Sequence, residues 1–311
     1  MNIFYTLTML AGALLAAGLF ALLMKSLLKP SSALIALPLW AVCGYVGAKG
    51  LYFLLMISRE TRAFSAAQLF QFSPDKFSFL GGCLGVAAGT ALAARLAGQP
   101  LKKTLDAFAP AGALAVAFAR GAEHFLQEVN WSAFEVESPL LQRFPFSALN
   151  AYDQWYLTLY TLAAAAALTV GCVFLFRKKE AAVPGLRFER VAFYLCLPQI
   201  FLESLRSDSL YWGFVRPEQL LCAAIMFVLL FRHCWAVREK GFPAAFWPLA
   251  VNLACLGIMV FVEFNLDKQF IPMSEIANYG IMWLSLLGIA ACECFAVRRR
   301  IKKAPRQRRR A

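Results

Sequence analysis

Inside a long apolar run, Ala119-Arg120-Gly121-Ala122-Glu123-His124-Phe125 places a guanidinium, a carboxylate and an imidazole within five residues, with Glu128 shortly after. Charge is costly in such surroundings, and where it persists it faces a bundle interior or a watery cavity. Arg120, Glu123, His124 and Gln127 recur at spacings of three and four, so on a helix they share one face. The guanidinium fork matches a phosphate and stays charged at any biological pH. A carboxylate or an imidazole can take a proton. The same pattern has a purely structural reading, an Arg120–Glu123 pair that ties two helices together. Lys49 and Tyr52 lie in another apolar run. They fit a phosphate contact, or a lysine snorkelling to the interface beside an aromatic-belt tyrosine. Glu203 and Arg206 are spaced for an intrahelical ion pair.

These residues need elements to hold them. The chain has 311 residues, 60% hydrophobic and 16% charged, with a mean hydropathy of +0.61. A soluble domain carries roughly a quarter of its residues as charge. Apolar runs long enough to approach the roughly 20 residues of a bilayer crossing fall at 3–24, 33–57, 77–97, 105–127, 155–176, 191–206, 217–231, 244–263 and 276–297. The expected fold is all-α, a polytopic transmembrane helix bundle of about nine spans. The sixth and seventh runs are short and call for tilt or extension into their flanks. The first lacks a basic n-region and a small-residue cleavage site, so it reads as a retained helix.

The net charge of +13 collects in alternate loops, at Lys25 and Lys29, at Arg95, Lys102 and Lys103, at Arg177 to Arg190, at Arg232 to Lys240, and beyond Arg298. By the positive-inside rule the N-terminus lies outside and the C-terminus in the cytoplasm. The charge therefore reports topology, and no nucleic-acid partner is expected. The segment after Arg298 reads as a disordered cytoplasmic tail able to touch anionic headgroups. None of the nine cysteines has Cys-x-x-Cys spacing, so the pattern calls for neither a zinc site nor a disulfide framework, and no cofactor is expected. Residues 58–76 read as an amphipathic surface arm or an ordinary interfacial loop. Glu263, Asp267, Lys268 and Glu275 read as the loop between the last two spans.

Ser78-Phe79-Leu80-Gly81-Gly82 resembles the Ser-Phe-His-Gly-Gly sequence that heads a membrane helix in bacterial prolipoprotein diacylglyceryl transferases, with leucine in the histidine slot. That family's next helix carries Gly-Arg-x-Gly-Asn-Phe-x-Asn-x-Glu. Here Arg120 and Glu128 keep their separation, while Ala119, Ala122, Glu123 and Leu126 replace the glycines and asparagines. Ala48-Lys49-Gly50-Leu51-Tyr52 is similar to an Ala-Arg-x-x-Tyr pattern, and Gln154 and Tyr156 to a His-Pro-Ser-Gln-Leu-Tyr segment without its histidine-proline pair. Glu203, Arg206 and Gln219 match a third patch, where Gln199 replaces an arginine. The likeness runs over roughly 33–231 and stops after Lys240. It implies a transferase-like transmembrane part over 1–240, two added helices over 241–297 and a basic tail over 298–311.

The resemblance implies a multi-pass protein of the bacterial cytoplasmic membrane. It implies transfer of a diacylglyceryl group from phosphatidylglycerol, or another anionic phospholipid, to a lipobox cysteine of a preprolipoprotein. Arg120, Glu123, His124 and Glu128 become the catalytic candidates. Lys49, Tyr52, Gly81, Gly82, Gln154, Tyr156, Glu203, Arg206 and Gln219 become the candidates for lipid binding. A phosphate clamp is needed because charge builds on the leaving group, and a base because a thiol's ordinary pKa is near 8.5. Leu80 cannot accept a proton, which leaves His124 or Glu123. Two other readings stand beside this one. A related transferase could use another acceptor, or a non-catalytic relative could bind lipid or lipoprotein.

Overall fold

The computed structural model describes residues 3–27, 31–60, 70, 76–125, 132–135, 137–143, 147–149, 153–177, 183–205, 216–238 and 241–308. The chain forms two compact units, Met1–Phe176 and Arg177–Ala311.

The first unit is built from α1 (Ile3–Leu27), α2 (Ser31–Glu60), α3 (Phe79–Leu96), α4 (Leu101–Glu123) and α6 (Leu159–Phe176). A short α5 (Pro139–Gln142) and the strands β1 (Ser132–Glu135), β2 (Ser147–Leu149) and β3 (Trp155–Thr158) lie between α4 and α6. Helices α1, α3 and α6 pack on α4, and α2 packs on α3. The α2–α3 contact is close because α3 presents Gly81, Gly85 and Gly89 at four-residue intervals. A Cβ on Gly89 would sit 2.9 Å from the Leu39 carbonyl oxygen, and one on Gly81 would collide with the Gly47 backbone. Such small-residue ridges let helix backbones approach where lipid supplies no hydrophobic drive. Further along the same contact, the Trp40 indole donates to the Thr90 hydroxyl at 2.7 Å. The Trp40 ring also lies 5.6 Å from Phe20 and 5.5 Å from Phe108.

The strands form one antiparallel sheet in the order β1-β3-β2. This corrects the expectation that the fifth apolar run is helical from residue 155. Trp155–Thr158 pairs with both neighbouring strands, and the helix begins at Leu159. Tryptophan, tyrosine and threonine favour a pleated strand.

The second unit holds α7 (Leu186–Leu205), α8 (Pro217–Trp235), α9 (Phe242–Lys268) and α10 (Glu275–Arg308). The two short runs are thus extended into their flanks, as their length required. Helix α7 packs on α8 and α10, and α9 on α8 and α10. Two charge networks, each centred on a buried glutamate, join α10 to its neighbours. Arg190 donates through Nε and Nη2 to the two oxygens of Glu293 at 2.8 and 3.0 Å, and the Tyr194 hydroxyl donates to Glu293 at 3.0 Å. Glu189 accepts from Arg232 at 2.7 Å and from Arg300, whose Nη1 lies 2.8 Å from His233 Nδ1. The expected disorder after Arg298 is therefore corrected. Helix α10 continues to Arg308, with Lys303 donating to the Ala236 carbonyl at 2.9 Å.

Among the described residues, seven helices are long and apolar enough to cross a membrane: α1, α2, α3, α6, α8, α9 and α10. Helix α4 carries Asp106 and Arg120, and α7 carries Glu189, Arg190 and Glu203, inside their lengths.

Candidate functional site

In the first unit the site grows from the head of α3. Ser78 is its N-cap, and the Ser78 hydroxyl accepts from the Gly81 amide at 3.1 Å. Such caps satisfy a donor that the helix itself leaves open. The Ser78 amide donates to the Ala48 carbonyl at 3.0 Å, which ties the head of α3 to α2 one residue before Lys49. Lys49 is 2% exposed, and its ammonium lies 4.1 Å from the centre of the Phe77 ring. Arg120 is also 2% exposed, with its guanidinium 3.5 Å from the centre of the Phe79 ring. Two buried cations therefore rest on the rings that flank Ser78. Ring faces attract cations most strongly where water is excluded. Lys49 is enclosed within the protein, so the snorkelling alternative does not describe it.

Helix α4 delivers Arg120 from its last turn. Arg120 Nη1 donates to both oxygens of Glu123 at 2.8 and 2.9 Å. The structural pairing is thus present, and it is asymmetric, since the Glu123 side chain is 18% exposed. His124 caps the C-terminus of α4 and is exposed. Its ring centre lies 5.5 Å from Phe125 and 6.2 Å from Tyr160 of α6. Glu128 lies outside the described residues.

The remaining candidates of this unit have separate surroundings. Tyr52 is buried beside Phe53, at a ring distance of 5.6 Å. Gly81 faces the α2 backbone, whereas a Cβ on Gly82 would make an ordinary 3.6 Å contact with the Ala48 Cβ. Packing thus demands the first glycine and not the second. The Tyr156 hydroxyl, on β3, donates to the exposed Gln154 side chain at 3.3 Å.

In the second unit, Glu203 is 2% exposed and accepts from Gln199 Nε2 at 3.2 Å. The residue in the missing-arginine slot therefore binds the carboxylate. The Gln219 amide, in the first turn of α8, donates to the Ile200 carbonyl of α7 at 2.9 Å. Arg216, the N-cap of α8, has its Nε 3.4 Å from Glu263 of α9. Arg206 lies outside the described residues.

Sequence reasoning missed Phe77 and Phe79 as partners of the cations, and it assigned Glu263 to a loop. Aromatics flanking a helix-capping serine were the available signal for the first. Helix α9 runs to Lys268, so Glu263 is helical. Only the side-chain contact with Arg216 gives it significance.

Seven apolar helices, with buried charge held inside each unit, define a multi-pass helical membrane protein. Residues 3–235 match the family model described as Prolipoprotein diacylglyceryl transferase, and the chain belongs to that family. The match supports a transferase-like membrane function in lipoprotein biosynthesis, within a family that acts on lipids and prolipoproteins. No curated protein and no solved structure matches it.

Proposed function

We propose that this chain is a diacylglyceryl transferase of a bacterial cytoplasmic membrane, with its N-terminus outside and its C-terminus in the cytoplasm. The donor is phosphatidylglycerol and the acceptor is the lipobox cysteine of a preprolipoprotein. The observation that carries this reading is the pair of buried cations on Phe77 and Phe79, at the N-terminal end of α3. Buried positive charge beside a helix N-terminus suits a phosphate.

In the reaction a thiol sulfur bonds to the terminal glyceryl carbon. The bond from that carbon to the phosphate oxygen breaks, and glycerol phosphate leaves with the electron pair. Arg120 and Lys49 stabilise the charge gathering on the departing phosphate. Both Glu123 oxygens are engaged by Arg120, so Glu123 positions the guanidinium. His124 forms no ion pair among the described residues, which makes it the group to take the thiol proton.

The family pattern adds Glu128 as a catalytic group. It adds Tyr52, Gly81, Gly82, Gln154 and Tyr156 as lipid-binding candidates of the first unit and, separately, Glu203, Arg206 and Gln219 as those of the second. The transferase-like part spans 1–240, the added helices 241–297 and the basic end 298–311.

Leu80 in the histidine slot, together with Gln199 bound to Glu203, favours a second reading, a relative with another acceptor or with lipid binding alone. Expression in bacteria depleted of their own diacylglyceryl transferase separates the two. Restored growth with lipidated lipoprotein supports the first reading. Accumulated unlipidated precursor, with this protein inserted in the membrane, supports the second.

A further inference from the structure

Helix α10 runs on as helix past its apolar stretch at 276–297. At 1.5 Å per residue that stretch is about 33 Å long, a match to a hydrocarbon core of about 30 Å. Arg298 to Lys303 therefore fall at headgroup depth. The end of α8 is tied to the same level. Lys303 donates to the Ala236 carbonyl at 2.9 Å, and Arg300 shares Glu189 with Arg232 of α8. Just beyond α8, Arg238 lies 4.2 Å from the centre of the Trp235 ring and donates from Nη1 to the Trp235 carbonyl at 3.3 Å. Three cations, Arg232, Arg238 and Lys303, thus gather around the last turn of α8. Trp235 between them is 47% exposed, and the Arg232 side chain 52%. Phe231, one turn deeper, stacks on Trp235 at 5.6 Å and is exposed as well. Cations at a helix C-terminus also answer its open carbonyls. That takes one donor from a guanidinium that has five and one from an ammonium that has three, so it leaves the charge to act on a ligand.

We propose that the end of α8 and the continuation of α10 form a binding site for an anionic phospholipid of the leaflet in which α10 ends. Arg232, Arg238 and Lys303 hold the phosphate. The Trp235 ring lies at the level of the lipid's glycerol backbone, and the acyl chains run down along Phe231. Each cation near a headgroup layer strengthens the hold on an anionic lipid by about fivefold. An exposed tryptophan suits that boundary, apolar on its body and polar at its N–H. The site lies in the second unit and uses Arg238 and Lys303 from beyond the matched residues 3–235. It selects charge and not a glycerol headgroup, so it rests on neither the donor nor the acceptor assigned above.

The test reconstitutes the full-length protein in phosphatidylcholine vesicles that contain phosphatidylserine, an anionic lipid other than the proposed donor. Bromine on the acyl chains of one lipid or the other quenches the tryptophans it touches. The Trp235 signal is the difference between a protein with Trp235 and the same protein carrying Trp235→Phe. At low salt, phosphatidylserine is expected to outcompete phosphatidylcholine at Trp235 by about twentyfold. Arg238→Gln combined with Lys303→Gln reduces that preference to near unity, at about fivefold for each cation. Arg298→Gln combined with Lys302→Gln removes the same charge from exposed positions of α10 outside the cluster and leaves the preference in place. Equal losses in the two pairs mean a diffuse attraction to the surface and overturn the proposal. So does a wild type that shows no preference. If the Arg238 and Lys303 pair fails to insert, Arg238→Gln alone serves, because Arg238 lies past the end of α8, and a loss of about fivefold is expected. An unchanged preference in that variant also overturns the proposal.

Discussion

Arg120 meets two kinds of partner at once, a carboxylate one turn along its helix and an aromatic face from α3. The ion pair answers its charge, and the ring fixes the plane of the fork. Arg120→Lys keeps the charge and loses the planar fork, so kcat/KM for transfer is expected to fall about 10²-fold, near the loss seen when one charge-stabilising donor is removed. Glu123 and His124 should separate kinetically. Glu123→Gln loosens the guanidinium and raises KM for the lipid. His124→Ala lowers kcat by about 10²-fold, the size of a lost general base, with little change in KM. A normal kcat in His124→Ala contradicts its assignment as the base. The Arg120–Glu123 pair was legible in sequence because helical spacing fixes which side chains can touch. The rings of Phe77 and Phe79 were not, since spacing within one segment says nothing of what another helix brings against it.

At the scale of elements, the α2–α3 contact depends on the absence of side chains. Gly81 faces the Gly47 backbone, while Gly82 has room for a methyl group. Gly81→Ala should cost about 1–3 kcal/mol through overpacking, and Gly82→Ala should be close to neutral, as read from thermal unfolding in detergent. Equal effects would contradict the packing described. In the second unit Glu293 is fully buried against Arg190. Glu293→Gln leaves a buried guanidinium without its counter-charge, a loss of about 3–5 kcal/mol that unfolding measurements would detect. Apolar runs announced the long helices because each is long and nearly free of charge. The short strands could not be read this way, because three or four residues give too little alternation to identify. Helix α9 was read as ending at Glu263 because a lone carboxylate resembles a loop residue until its partner Arg216 is seen.

At the scale of the whole molecule, the charge pattern carries a topology. On the proposed orientation, the basic residues of alternate loops face the cytoplasm together with the C-terminus. A reporter that is active only there, fused after residue 311, should be active, and silence in a stably inserted fusion would contradict the orientation. The division after Phe176 falls at a basic stretch of sequence that the charge pattern marks as a loop and not as a boundary. Packing partners, not composition, define it. The central claim is the transfer itself, and the measurement that bears on it most directly uses purified protein, phosphatidylglycerol and a lipobox peptide, read by mass spectrometry beside Arg120→Ala. The account predicts a thioether-linked diacylglyceryl peptide and free glycerol phosphate in equal amounts, both lost in the variant. Unmodified peptide in the presence of bound phosphatidylglycerol would contradict it.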